Sequence, residues 1–184
     1  MDKPRYIQRL ADGEDLSLVG GKAAHLGNLI RAGFPVPDGF VVTTQAYFHI
    51  RSPNSSADVI EAIRTAYRAM GAPMVAVRSS ATAEDMAGAS MAGQYETFLN
   101  IRGEEDLITA VRQCWTSLET PRVKAYLREH RIDPSGVAMA VIVQRLVPAD
   151  VAGVLFTTDP QNGKRHEMLL EAKQDNFLAA APAG

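Results

Sequence analysis

V-A-V-R-S-S-A-T-A-E-D-M-A-G-A-S-M-A-G-Q-Y-E-T-F-L-N-I, residues 75–101, opens and closes like a buried β-strand. Between those ends lies a run of Ala, Ser, Thr and Gly that no hydrophobic core would select. The stretch therefore reads as strand, long small-residue loop, strand, with Arg78 at the mouth of the loop. Small side chains and glycines let backbone N–H groups come close to an anion, and hydroxyls add donors. Ser79, Ser80, Thr82, Ser90, Gly93 and Thr97 supply these features, and Arg78 can offer a planar fork to phosphate oxygens. A second reading stays open: a surface loop whose arginine pairs with Glu84 or Asp85.

Towards the N-terminus, Val59, Ile60, Ile63, Tyr67 and Met70 form one face of a helix that Gly71 stops. S-P-N-S-S before it reads as a loop, and Thr44 is placed to cap a helix that begins Q-A-Y-F. P-V-P-D-G-F-V-V-T-T reads as a turn and a short strand. Leu16, Val19, Ala23, Leu26, Leu29 and Ile30 recur at helical spacing over 16–31, with Gly33 as the C-terminal cap. Gly20-Gly21-Lys22 sits at the start of that helix, where backbone donors and a positive charge coincide. It lacks the spacing of a Walker A loop, and reads either as a turn or as an anion site.

Towards the C-terminus, Leu107, Ile108, Val111, Cys114, Trp115 and Leu118 predict an amphipathic helix, with Glu104 and Glu105 near its N-terminus. Pro121 opens a second helix that runs to about Glu129. There the period changes. V-A-M-A-V-I-V-Q-R-L-V, V-A-G-V-L-F-T-T and E-M-L-L-E-A read as three strands, the last two joined by a hairpin-like turn. Short connections favour antiparallel neighbours, so this half is expected to be a small sheet with helices on one side. The fold class is α+β, mainly antiparallel sheets flanked by helices. Gln144-Arg145-Leu146-Val147-Pro148 reads either as an ordinary strand end or as a hinge with backbone groups exposed to a flat ligand edge.

Composition narrows the function classes. The formal net charge of -2 over 184 residues leaves no basic footprint for nucleic acid or an anionic membrane. The single cysteine, Cys114, excludes an intrachain disulfide and fits a reducing compartment. The longest apolar run, Val137 to Val143, is too short to span a bilayer, and no hydrophobic signal follows M-D-K-P-R-Y, so the expected location is cytoplasmic. His25, His49, His130 and His166 show no metal-ligand spacing, and Cys114 beside Trp115 reads as core.

Three long stretches then stand in a familiar order. G-G-K-A-A-H-L-G-N-L-I-R-A-G-F-P-V-P-D-G-F-V-V-T-T-Q-A-Y, V-R-S-S-A-T-A-E-D with G-Q-Y-E-T-F-L-N-I, and V-A-M-A-V-I-V-Q-R-L-V-P-A-D-V-A-G-V-L-F-T-T-D-P together resemble phosphoenolpyruvate synthases and pyruvate phosphate dikinases. The resemblance runs from about Leu16 to Ala172. It implies an ATP-grasp nucleotide-binding domain, in which ATP lies between two lobes. A phosphoryl group then passes to a histidine on a separate swivelling domain, and on to pyruvate or, in the related rifampin phosphotransferases, to the antibiotic. By position, Lys22 and Arg78 match the family's phosphate-gripping cations. Gly93, Gln94 and Thr97 fall in the loop covering the phosphate tail, and Gln144, Leu146 and Val147 fall at the adenine hinge. The implied cofactors are ATP and Mg2+, and the implied layout is a first lobe over 1–103 and a hinge-bearing part over 104–184.

Three departures from the family pattern stand out. The segment from Tyr47 to Val75 is short, and K-Q-D-N-F-L follows Ala172 where a G-L-G-E stretch is usual. The acidic metal ligands, the Q-S-R-type strand after them and the histidine domain have no counterpart in these residues. The expected partners are accordingly ATP, the second half of the grasp and a swivelling domain, with a possible homodimer through an uncovered apolar face. The competing expectation is a reduced, non-catalytic ATP-grasp relic that binds a nucleotide or a partner.

Overall fold

The computed structural model describes residues 5–51, 56–82, 96–130, 132–133, 136–158 and 168–174. The chain divides into two compact units, 1–146 and 147–184. The first is built on a five-stranded sheet of β1 (Ile7–Arg9), β2 (Gly39–Val42), β3 (Val75–Ala81), β4 (Thr97–Ile101) and β5 (Met139–Arg145). Their order is β1-β2-β5-β3-β4, and every neighbouring pair is antiparallel. Among the described residues five α-helices accompany it: α1 (Leu16–Arg31), α2 (Thr44–Ile50), α3 (Ser56–Ala69), α4 (Glu104–Ser117) and α5 (Pro121–Glu129). The second unit holds β6 (Val151–Phe156) and β7 (Leu169–Gln174), paired antiparallel as a two-stranded sheet. The architecture is α+β.

Local chemistry explains the helix ends. At the end of α1 the Phe34 N–H donates to the Leu29 carbonyl and the Gly33 N–H to the Ile30 carbonyl, both at 3.0 Å. Gly33 takes φ +84° to make that double bond possible. Helix α3 stops in the same way: Ala72 bonds back to Tyr67 at 3.1 Å and Gly71 to Arg68 at 2.9 Å, with Gly71 at φ +82°. Thr43, not Thr44, caps α2, its hydroxyl accepting from the Ala46 N–H. The Thr44 hydroxyl instead donates to the Ser17 carbonyl at 2.8 Å and ties α2 to the start of α1.

The apolar residues alternate between the two faces of the sheet, because successive strand side chains point in opposite directions. Val41, Ala140 and Ile142 form one core with Val19, Ala23 and Ala24 of α1. Phe40, Val42, Val77, Val141 and Val143 belong to the other, with residues of α2, α3, α4 and α5. Trp115 anchors α4 there by donating from Nε1 to the Met139 carbonyl at 3.2 Å.

Two expectations about the C-terminal strands are corrected. β5 does not share a sheet with β6 and β7; it lies between β2 and β3, and the sheet carries helices on both faces. The reason is visible in burial: Met139 to Gln144 are all buried, which demands cover on both faces, whereas β6 alternates exposed and half-buried residues. The compact units divide after Leu146.

Candidate functional site

The quoted segment forms β3 as expected, but the strand continues to Ala81, past Arg78. Ser79 and Ser80 are therefore buried strand residues, and their hydroxyls are not loop donors. Ser79 Oγ donates to the Glu96 carbonyl at 2.6 Å, and Ser80 Oγ accepts from the Ala23 N–H at 3.1 Å. Thr82 closes the strand: its hydroxyl accepts from the Ala138 N–H at 3.1 Å.

Gly20-Gly21-Lys22 lies inside α1 rather than at its first residues. Gly20 has φ +73° and ψ 168°, so the helix breaks there and restarts at Gly21. The break lets Gly20 press against β3: a Cβ on Gly20 would stand 2.2 Å from the Ser80 carbonyl oxygen. Lys22 is thus in the first turn of the restarted helix, one residue before the Ala23 amide bound to Ser80. Burial pushes the Cys114 thiol up to about 12 against the lowering effects of the Ser79 hydroxyl and the Lys22 charge, so Cys114 is an inert core residue.

Strand pairing settles which positions share a face. Arg78 is opposite Thr97 on β4 and Ile142 on β5, and Ala76 is opposite Gln144. Directly opposed residues of antiparallel strands point to one side, and residues two apart on a strand do too. Arg78, Ser80, Thr97 and Gln144 hence occupy the sheet face that carries α1, with Lys22 at its near end. Arg78 and Thr97 are half-buried there, and Gln144 is buried. Gln144 Nε2 donates to the Pro37 carbonyl at 3.0 Å, which holds the turn before β2.

The hinge positions lie at the other end of β5. Leu146 N–H donates to the Met74 carbonyl at 3.0 Å, so that amide is engaged within the fold. Val147 is exposed and belongs to the second unit. Gly93 and Gln94, expected over the phosphate tail, fall outside the described residues. Sequence reasoning named Gly20 and Ser80 only as candidate anion-site residues and missed that their segments pack on each other; the one local signal was a hydroxyl two residues beyond Arg78, hence on its face.

Among the described residues no three His, Cys, Asp or Glu side chains gather in a way that could hold a metal ion. One groove of about 850 Å³ is lined by Tyr6, His49, Asp58, Glu61 and Thr65 and their neighbours, and none of the expected site residues borders it. Among the described residues no helix is long and apolar enough to cross a membrane.

The chain matches the family model described as the pyruvate phosphate dikinase AMP/ATP-binding domain over residues 16–55 and 49–174. It is 39% identical to a phosphoenolpyruvate synthase of Aeropyrum pernix, with 85% of this chain and 24% of that protein aligned. It is also 39% identical to a probable phosphoenolpyruvate synthase of Methanothermobacter thermautotrophicus, covering 82% of this chain and 28% of that protein. A rifampicin phosphotransferase of Streptomyces sviceus is 37% identical over 91% of this chain and 24% of its own length. The chain spans about a quarter of the length of these curated relatives. An α+β sheet with Arg78, Thr97 and a Gly-Gly-Lys helix on one face, together with these matches, places the chain in the pyruvate phosphate dikinase AMP/ATP-binding domain family.

Proposed function

We propose that this chain is the ATP-binding part of a dikinase or phosphotransferase of the phosphoenolpyruvate synthase type, with an ATP-grasp arrangement. Its role is to hold ATP while a phosphoryl group passes to a histidine on a separate swivelling domain. Lys22 and Arg78 grip the phosphate tail, Gly93, Gln94 and Thr97 cover it, and Gln144, Leu146 and Val147 border the adenine. The single observation that carries this reading is the α1–β3 junction, which brings the Lys22 turn to the sheet face of Arg78 and Thr97. Phosphoryl transfer rests mainly on positioning and on charge stabilisation, so two cations held on adjoining rigid elements suit it. In this reading Gln144 and Leu146 also brace the hinge, and it is supported by the Gln144 bond to the Pro37 carbonyl and the Leu146 bond to the Met74 carbonyl.

Titration of the chain with Mg-ATP, followed by NMR, tests the reading. Lys22→Ala and Arg78→Ala are each expected to weaken ATP binding about tenfold to a hundredfold, the loss of one charge-assisted contact. Unchanged affinity in both variants removes the two residues from the site. A second reading, a nucleotide-binding module without transfer, draws on β7, which runs as strand through Lys173 and Gln174 where the family pattern has glycines. Under that reading ATP binds, but no histidine-bearing domain ever becomes phosphorylated.

A further inference from the structure

We infer that Ser80 is a positioning residue: it caps, from β3, the helix segment that carries Lys22, and so sets the spacing between Lys22 and Arg78. The inference rests on the reading of those two cations as phosphate ligands. The first turn of a helix leaves N–H groups without partners, and a Ser, Thr, Asn or Asp at the N-cap ordinarily accepts one of them. Where α1 restarts, the N-cap position is Gly20, which has no side chain to offer. Its positive φ and missing Cβ instead admit Ser80, whose Oγ would lie 2.6 Å from a Cβ built on Gly20. The Ser80 hydroxyl therefore stands where a cap side chain would stand. It accepts from the Ala23 N–H, the amide of the third residue of the segment and the partner a local cap would choose.

The difference from a local cap is mechanical. A local cap fixes a helix end to itself; this one fixes it to a strand 57 residues away in sequence. Ala23 directly follows Lys22, and Ser80 is two residues from Arg78 on the same strand face. One short chain of bonds thus runs from the backbone of one cation to that of the other. Ser80 is fully buried, so water does not compete for the bond.

NMR titrations of the chain with inorganic triphosphate and, separately, with adenosine test the proposal. Ser80→Ala is expected to weaken triphosphate binding about fivefold to tenfold, while adenosine binding changes by less than about twofold. Ser80→Thr, which keeps the hydroxyl, is expected to restore triphosphate binding. In a Lys22→Ala background Ser80→Ala is expected to add no further loss, because its effect passes through Lys22. Equal weakening of both probes, or full additivity in the double variant, overturns the inference and leaves the Lys22–Arg78 reading standing. A Lys22→Ala variant that binds triphosphate normally overturns that reading, and the inference with it. If Ser80→Ala does not fold, hydrogen exchange in the unmodified chain decides. Triphosphate, and not adenosine, is expected to slow exchange of the Ala23 amide; equal rates with and without triphosphate overturn the proposal.

Discussion

Gly20, Gly33 and Gly71 all take positive φ, yet they do different things. Gly33 and Gly71 end helices, and a Cβ added to either would meet nothing within 4 Å. Gly20 interrupts a helix, and a Cβ there would collide with the Ser80 backbone at 2.2 Å and 2.6 Å. Gly33→Ala should therefore lower stability only by the left-handed backbone strain, about 1–2 kcal/mol. Gly20→Ala adds a backbone clash and should lower it by more than about 3 kcal/mol. Thermal melts of the two variants check this, and similar melting points would refute the close approach. The helix-ending glycines were legible in the sequence because cap chemistry is local. What Gly20 approaches lies some 60 residues further on, and no local pattern reports it. Lys22 and Arg78 stood out by residue type, and Ser80 stood out only as a loop hydroxyl, not as the neighbour that joins them.

Ion pairs link α3 to the first turn of α4. Arg68 forks onto Glu104 with Nε–Oε1 at 2.7 Å and Nη2–Oε2 at 2.9 Å, and Arg64 also lies 3.5 Å from Glu104. Tyr67 supports the same joint, its hydroxyl donating to the Pro73 carbonyl and accepting from the Gly103 N–H. The hydrogen bond from the Arg68 guanidinium holds the Glu104 carboxyl below its usual range. The folded state thus prefers Glu104 ionised. The resulting stability is complete above the ordinary glutamate value of about 4.3 and is lost as the pH falls through the lowered one. Replacing Glu104 by Gln should flatten the fall of melting temperature between neutral pH and about pH 3, and an unchanged slope would remove Glu104 from the acid response. The place of Glu104 near a helix N-terminus was legible from the helix dipole. Its arginine partner, 36 residues earlier, was not.

At the scale of the whole molecule the two units differ in what holds them. Residues 1–146 contain two cores on opposite faces of one sheet, and β5 contributes to both. Among its described residues the second unit, 147–184, holds one antiparallel pair, and an isolated pair of strands is at best marginal in water. A fragment ending at Leu146 should accordingly melt cooperatively, while one starting at Val147 should give the circular dichroism of an unfolded chain. A structured second fragment would show that the pair has cover of its own. The α+β class and the helices α1, α3 and α4 followed from periodicity, α2 and α5 from a cap residue and an opening proline, whereas the light cover of β6 was not legible in its uniformly apolar V-A-G-V-L-F. The central place of β5 was harder to see, because chain order suggests its neighbours β6 and β7. The unbroken apolar run from Val137 to Val143 was the available sign, since strands covered on both faces tend to read as continuous apolar runs.

The position of β5 also bears on synthesis at the ribosome. β2 and β3 are separated in sequence and meet only across β5, the last strand of their sheet to be translated. Until about residue 145 has left the exit tunnel, a nascent chain displays two apolar strand borders with nothing between them. Completion then waits on closure of long loops, which is slow relative to helix formation. The newborn polypeptide thus passes through an interval in which chaperone capture competes with insertion of its final strand.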